Sequence, residues 1–361
     1  SAPLSAPVDT GAIDRQWPAP HRATRSDKGK PRESLTLSKS EIERLRSCPQ
    51  RYYFEYEQGR RPASESSESA EWGLYVHRAL EMFFFHLLGQ YVMPVANGLD
   101  AALAALDRVG TDHAGRAYGP PSDPYARAML RAVTRGYVAT WGPGDASAFD
   151  VLSVENRYEL PALRPDDKPR RGFSVDGVID LTVRNREDSR VWIVDHKTTQ
   201  SDFERETRTG EKAYFIGAEL DAQAIGYVDV AARQGLNPAG FMWDLIKRPG
   251  LARVEKVERG ESAEGFEGRM VETIAANPVR YFARYPITFE PWQIWRARLD
   301  VIASGEEILW RRRSGMWPQN RDACGKFGST CPWMPVCTGR ESATDDRLFP
   351  LKKKTEKEGE R

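Results

Sequence analysis

Two short apolar runs near the middle of the chain end in residue types suited to phosphoryl chemistry: Gly-Val-Ile-Asp (177–180) and Val-Trp-Ile-Val-Asp-His-Lys (191–197). Asp195 and Lys197 stand two residues apart on a β-like run, so their side chains share one face. The connector Arg-Asn-Arg-Glu-Asp-Ser-Arg (184–190) is polar and reads as a hairpin tip. Pairing that is symmetric about Glu187 and Asp188 sets Asp180 across from Asp195, with Cβ atoms about 5 Å apart. Carboxylates that close repel unless a cation lies between them. With Lys197 beside them, the set suits a divalent metal and a phosphoryl group. A surface hairpin with solvated charges is the plainer account of such a cluster. Against it, Val191, Trp192, Ile193 and Val194 form a continuous apolar run, as in a strand buried on both faces. Charges at the end of such a strand are costly without a purpose.

Two further segments can position partners for this hairpin. In Glu-Trp-Gly-Leu-Tyr-Val-His-Arg-Ala-Leu-Glu (71–81), Gly73, His77 and Glu81 recur at intervals of four, one stripe of a helix. Glycine inside a helix costs about 1 kcal/mol relative to alanine, so Gly73 marks a close approach by another backbone. A neutral imidazole one turn on is a competent metal ligand, although an isolated histidine is more often a packed core residue. In Glu-Leu-Asp-Ala-Gln-Ala-Ile-Gly-Tyr-Val (219–228), Gln223 and Tyr227 share a helical face. Without the hairpin, that segment is an ordinary amphipathic helix. Phe241 to Ile246 then returns as an apolar strand and completes a β–α–β crossover.

The remaining elements frame these. Residues 1–33, rich in Pro, Ala, Ser and charge, read as a disordered arm or linker, and the opening on Ser1 rather than Met is that of a processed or trimmed product. Ser38 is the expected N-cap where the fold begins, in a domain spanning 34–346. A helical region covers about residues 68–140, broken near 119–124. Val151 to Leu160 alternates as the first strand of the core sheet, with Glu155 on it assigned to solvent rather than to a metal. Residues 261–314 return to helix, and a charged tail closes the chain over 347–361. The fold class is therefore α/β with a mixed central sheet and surrounding helices.

The 361 residues can bury a large core, and 53 Lys+Arg against 52 Asp+Glu leave the chain almost neutral. Any nucleic-acid site must then be a local basic patch; Arg311-Arg312-Arg313 and Lys168-Pro169-Arg170-Arg171 are candidates, equally readable as solvated faces. No apolar run reaches transmembrane length and no signal peptide is visible, so no membrane partner and a cytoplasmic, intracellular location are expected. The four cysteines, Cys48, Cys324, Cys331 and Cys337, include no Cys-x2-Cys pair, which argues against an ordinary zinc ribbon. Four reduced core thiols remain open as a reading.

Together, Gly73-x3-His77-x3-Glu81, Gly177-x2-Asp180, Asp195-x-Lys197 and Gln223-x3-Tyr227 resemble the ordered motifs of RecB-like nucleases in the PD-(D/E)XK superfamily. No one motif is specific; all four in order carry the resemblance, with Asp195 where many relatives have Glu. The resemblance implies a restriction-endonuclease-like core and a Mg²⁺- or Mn²⁺-dependent deoxyribonuclease, of exonuclease type and single-strand or end-directed. Its products would keep a 5′-phosphate, and its setting would be recombination, repair or replication. It implies that His77, Asp180 and Asp195 bind the metal with the His196 carbonyl, and that Lys197 orients water or stabilises charge on the phosphate. Gln223 and Tyr227 would support the substrate, DNA. One early and three late cysteines resemble the iron–sulfur subgroup of these nucleases, AddB-type helicase–nucleases and CRISPR-adaptation nucleases among them. There, four thiolates hold a [4Fe-4S] cluster that clasps the chain ends, and a helicase or other recombination or replication protein is the expected partner. Zinc stays open as the alternative occupant. The competing functional reading is a non-cleaving DNA-binding or assembly subunit that keeps a structural iron–sulfur or zinc site.

Overall fold

The computed structural model describes residues 34–63, 68–90, 97–111, 117–210, 212–250, 260–325 and 330–351. The arm expected over residues 1–33 and most of the charged tail lie outside the described residues. The chain divides into two compact units, one of Ser1–Ser66, Pro161–Asp176 and Arg298–Lys354, the other of Ser67–Leu160, Gly177–Ala297 and Thr355–Arg361.

The second unit is built on a mixed sheet. β4 (Phe149–Leu163) pairs with β5 (Pro169–Asn185), and β5 is followed across the sheet by β6 (Val191–Thr199), β7 (Pro238–Lys247) and β8 (Phe282–Ile287). The hairpin register is the expected one: Leu181 faces Val194, Thr182 faces Ile193, Val183 faces Trp192 and Arg184 faces Val191. Asp180 and Asp195 lie one step beyond the Leu181–Val194 pair, at the end away from the hairpin tip. β6 and β7 are parallel, with α6 (Ala222–Arg233) between them in sequence, so the β–α–β crossover is present. β8, antiparallel to β7, stands where the sequence pattern suggests only helix. Its six residues, FARYPI, are too short for either period to be decisive.

Helices cover both faces of this sheet. On one face, α3 (Glu68–Leu87), α4 (Gly98–Leu106), α5 (Pro124–Ala148) and α7 (Ala263–Ala276) bury Val76, Leu80, Phe84, Tyr137 and Ile274 against Leu181, Val183 and Val194. The two-stranded ribbon of β2 (Gly110–Thr111) and β3 (Ala117–Tyr118) interrupts the expected helical region between α4 and α5. On the other face, α6 buries Tyr227, Val228 and Ala231 against Ile193, Phe241 and Leu245. Alternation along β6 therefore sends Ile193 to α6 and Val194 to α3, which is why the strand reads as continuously apolar. No helix among the described residues is long and apolar enough to cross a membrane.

In the first unit, β1 (Leu35–Ser38) runs parallel to Phe173–Asp176 of β5. Ser38 caps α1 (Lys39–Ser47) with a complete capping box, its hydroxyl accepting from the Glu41 amide and its own amide donating to the Glu41 carboxylate. Leu37, Leu45, Tyr52, Phe173 and Ile308 form this unit's core, with Ile308 from α8 (Pro291–Ser314). α2 (Pro49–Tyr52) runs on into a π-helical turn, Tyr53–Glu57, and α9 (Met334–Cys337) is a single turn near the end.

Candidate metal centre

The hairpin and α3 meet where the β5–β6 pairing ends while β6 stays paired with β7. Asp180 Oδ2 accepts from the His196 amide at 2.9 Å and lies 3.4 Å from His77 Nδ1. One donor atom each from His77, Asp180 and Glu155 lies within 4.8 Å of the other two, a spacing that one cation can bridge. Asp195, 3% exposed in its side chain, accepts from Gln223 Nε2 at 2.9 Å and lies 3.5 Å from Lys197 Nζ. Lys197 Nζ in turn donates to Gln223 Oε1 at 3.2 Å, and Gln223 Nε2 donates to the Tyr227 hydroxyl at 2.9 Å. These contacts bring His77, Asp180, Asp195, Lys197, Gln223 and Tyr227 into the same unit, Gln223 acting as the brace between Asp195 and Lys197. Asp221, the N-cap of α6, orders the first turn from which Gln223 projects.

Glycine is needed at two positions here. A Cβ on Gly177 would lie 2.5 Å from the Tyr158 hydroxyl, so its absence lets Tyr158 pack edge-on to Tyr227. A Cβ on Gly73 would meet Thr198 Oγ1 at 3.2 Å. The close approach expected at Gly73 is thus by the side chain of Thr198, the residue directly after Lys197, not by a backbone.

Glu155 corrects the solvent-facing assignment. Its φ of +48° is a left-handed conformation inside β4, and the strand's alternation is broken around it. The carboxyl stands with His77 and Asp180 instead of in solvent. Burial, then Asp180 and Glu81, push it up to about 9, and burial also raises Glu81. His77 is pushed down chiefly by burial, which the Asp180 carboxylate only partly offsets, so its ring is a neutral donor. Burial pulls Lys197 down, but Asp195, Asp180 and Asp221 outweigh it and the ammonium stays charged. Burial, joined by crowding at Glu155, thus pushes two of the four carboxyl groups, Glu155 and Glu81, toward the protonated form, and a bound cation would favour their ionised form. The hard oxygen donors and one imidazole fit Mg²⁺ or Mn²⁺.

Behind His196 lies a second charged set that sequence reasoning missed. His196 Nδ1 is 2.9 Å from Asp244 Oδ2, and its ring stacks on Phe84 at 5.5 Å. Asp244, wholly buried on β7, also accepts from the Tyr137 hydroxyl and, at 3.4 Å, from Arg284 Nε. Arg284 makes a two-pronged pair with Asp145 at 2.5 and 2.7 Å. Burial raises Asp145, whereas at Asp244 the opposing pull of Arg284 and His196 wins and lowers it. The available signal was an aspartate inside the apolar run Phe241 to Ile246.

In the first unit, Cys48, Cys324, Cys331 and Cys337 all line one small cavity, with Asn320, Trp333 and Met334. Among the described residues no three of the sulfurs lie within 4.8 Å of one another, so the four thiols line one cavity without being gathered into a ligand set, and the iron–sulfur clasp is not seen. Burial, then the other three cysteines, pushes the Cys337 thiol up to about 12. Glu55 braces this region, accepting from Arg51 and from Trp333 Nε1 and pairing with Arg44.

The two basic runs are partly paired, although Arg171 and Arg313 have no ion pair among the described residues. Arg311 pairs with Glu307, Arg312 with Glu57, Arg170 with Glu306 and Lys168 with Asp166. Neighbouring carboxylates consume charge that composition alone leaves available.

No curated protein matches the chain. The model of the PD-(D/E)XK nuclease superfamily matches residues 36–338, which takes in the whole hairpin, α3, α6 and all four cysteines. With that match over most of its length, the chain belongs to the PD-(D/E)XK nuclease superfamily.

Proposed function

We propose that this chain is a Mg²⁺- or Mn²⁺-dependent deoxyribonuclease of the RecB-like kind, exonucleolytic and acting on single strands or free ends in recombination, repair or replication. The observation that carries this reading is the convergence of His77, Glu155 and Asp180 beside the Asp195–Lys197–Gln223 brace. His77, Asp180 and Asp195 would hold the ion, with Glu155 and the His196 carbonyl completing the set. When bound, the ion lowers the pKa of a coordinated water and neutralises the scissile phosphate. Lys197 keeps its proton, so it serves as an electrostatic donor to the phosphate or the attacking water rather than as a general base. Gln223 holds that ammonium against Asp195, and Tyr227 holds Gln223. Residues 34–346 would work as one nuclease domain, in the cytoplasm, with a helicase or other recombination protein as partner.

The grouping of His77, Glu155 and Asp180 favours an enzyme over a non-cleaving subunit. A time course on end-labelled linear, circular and single-stranded DNA with Mg²⁺, Mn²⁺ or EDTA tests it. Loss of end label from linear DNA while circular DNA stays intact, abolished by EDTA, is the expected result; no metal-dependent cutting of any form refutes the reading.

The resemblance to iron–sulfur nucleases, with all four cysteines lining one cavity of the first unit, is the ground for reading them as ligands of a [4Fe-4S] cluster that serves as a structural clasp. Anaerobically purified protein should be brown with about four irons per chain. Substitution of any one of the four cysteines should cost the cluster and stability alike. One zinc and no iron would replace the cluster with a zinc clasp; colourless, metal-free, stable protein would remove both.

A further inference from the structure

Apart from the two basic runs, positive charge gathers at another place in the second unit. Gln200, Lys247, Arg248, Pro249, Thr273 and Arg280 line an open, polar cleft of about 680 Å³, together with Gly250 and Tyr281. Three of these residues are cations and none is a carboxylate. Lys247 Nζ has Asp202 Oδ1 at 3.6 Å, and the Arg248 guanidinium lies over the Trp72 ring at 5.1 Å. Arg280 is exposed and makes no ion pair among the described residues.

Position gives the cleft a meaning. It lies at the C-terminal ends of the parallel strands β6 and β7, where Arg248 N donates to Thr199 O and Lys247 N donates to Tyr281 O. Gln200 is three residues beyond Lys197, at most about 11 Å of chain. Trp72, under Arg248, directly precedes Gly73 on the helix that carries His77. A cationic cleft with hydroxyl and amide groups, this near a phosphodiester-cleaving set, suits phosphate oxygens.

We propose that this cleft binds a backbone phosphodiester of the DNA strand being cut and so holds that strand across the metal centre. The proposal rests on the nuclease reading above. Arg280 and Lys247 bind through charge, and Arg248, oriented by Trp72, sets the direction in which the strand leaves.

Binding of a fluorescent oligothymidylate to the full chain, measured in EDTA so that nothing is cut, tests it across a salt series. Arg280→Gln should weaken binding several-fold, and Arg280→Gln with Lys247→Gln should weaken it further. Each lost phosphate contact should lower the slope of log affinity against log salt by about 0.7. Arg280→Lys should keep most of the affinity, since a point charge suffices for a phosphate. Unchanged affinity and slope in the double variant, with an unchanged melting temperature, overturns the proposal. A loss seen only with 5′-phosphorylated oligonucleotide also overturns it, because the cleft would then hold a chain end. Cutting of the same oligonucleotide by the parent chain with Mn²⁺ separates the readings. If the parent cuts while the double variant binds as the parent does, only the cleft fails; if the parent neither binds nor cuts, the nuclease reading fails first.

Discussion

Asp195 and His196 are neighbours on one strand, yet they serve two charged sets built on opposite principles. On the α6 side, Asp195 stands near Lys197 and belongs with Asp180, Glu155 and Glu81 to a crowded set of carboxyl groups in which burial and mutual repulsion raise Glu155 against the pull of Arg157. On the α3 side, His196 belongs to a group in which each buried carboxylate has a cation or a donor: Asp244 has Arg284, His196 and Tyr137, and Asp145 has Arg284 twice. The first set holds carboxyl groups pushed toward their protonated form, whereas in the second Arg284 and His196 outweigh burial at Asp244. Crowded carboxyl groups at a surface-reaching site store affinity for a cation; a balanced buried network holds the strand that carries the site.

Breaking the open set should remove function and spare the fold. Asp180→Ala or Asp195→Ala should abolish Mn²⁺-dependent cleavage, with the melting temperature of the metal-free protein unchanged or raised, because a like-charge repulsion is relieved. Parent-level cutting by both variants would show that the hairpin is not the site. Lys197→Ala should lose most of its turnover and still bind DNA, since its contribution falls mainly on the transition state; equal loss of binding would make it a substrate anchor instead.

Breaking the closed set should do the reverse. Arg284→Met leaves Asp145 and Asp244 buried without their cation and should destabilise the protein by about 3–5 kcal/mol, read by denaturant unfolding. A change under about 1 kcal/mol would mean that water replaces the guanidinium there.

The pH dependence sharpens the contrast. Glu155 is held up to about 9 in the folded, metal-free chain against an ordinary value of 4.5. Above 4.5 the unfolded chain gives up this proton while the folded chain keeps it. This group's contribution therefore falls as pH rises from about 4.5 to about 9, and is level outside that window. Thermal melts in EDTA should show that decline, and Glu155→Gln should flatten it. Mn²⁺ binding followed by calorimetry near neutral pH should release a proton in the parent and less in the variant. Equal proton release would place Glu155 outside the metal's reach. The smallest effect is expected at Gly73→Ala, where a helix gain of about 1 kcal/mol opposes the tight contact with Thr198, leaving a net change near zero in chemical melts.

Much of this arrangement was readable because strand and helix periods place side chains on faces before any packing is known. Two-residue spacing put Asp195 and Lys197 together, four-residue spacing aligned Gly73, His77 and Glu81 as well as Gln223 with Tyr227, and the polar tip set the register that puts Asp180 beside Asp195. Ser38 announced its helix through the Glu41 three residues on. Tertiary structure alone decided what depends on contacts far apart in sequence. The left-handed turn at Glu155 moves a carboxyl from solvent to the centre, which an alternating pattern does not encode. Asp145, Tyr137, Asp244 and Arg284 come from two strands and a helix, and no local period links them. The Arg311-Arg312-Arg313 run looked available for nucleic acid until Glu57 and Glu307 were found beside it. Local geometry is written in spacing, whereas the partner of a charge depends on which distant segment folds against it.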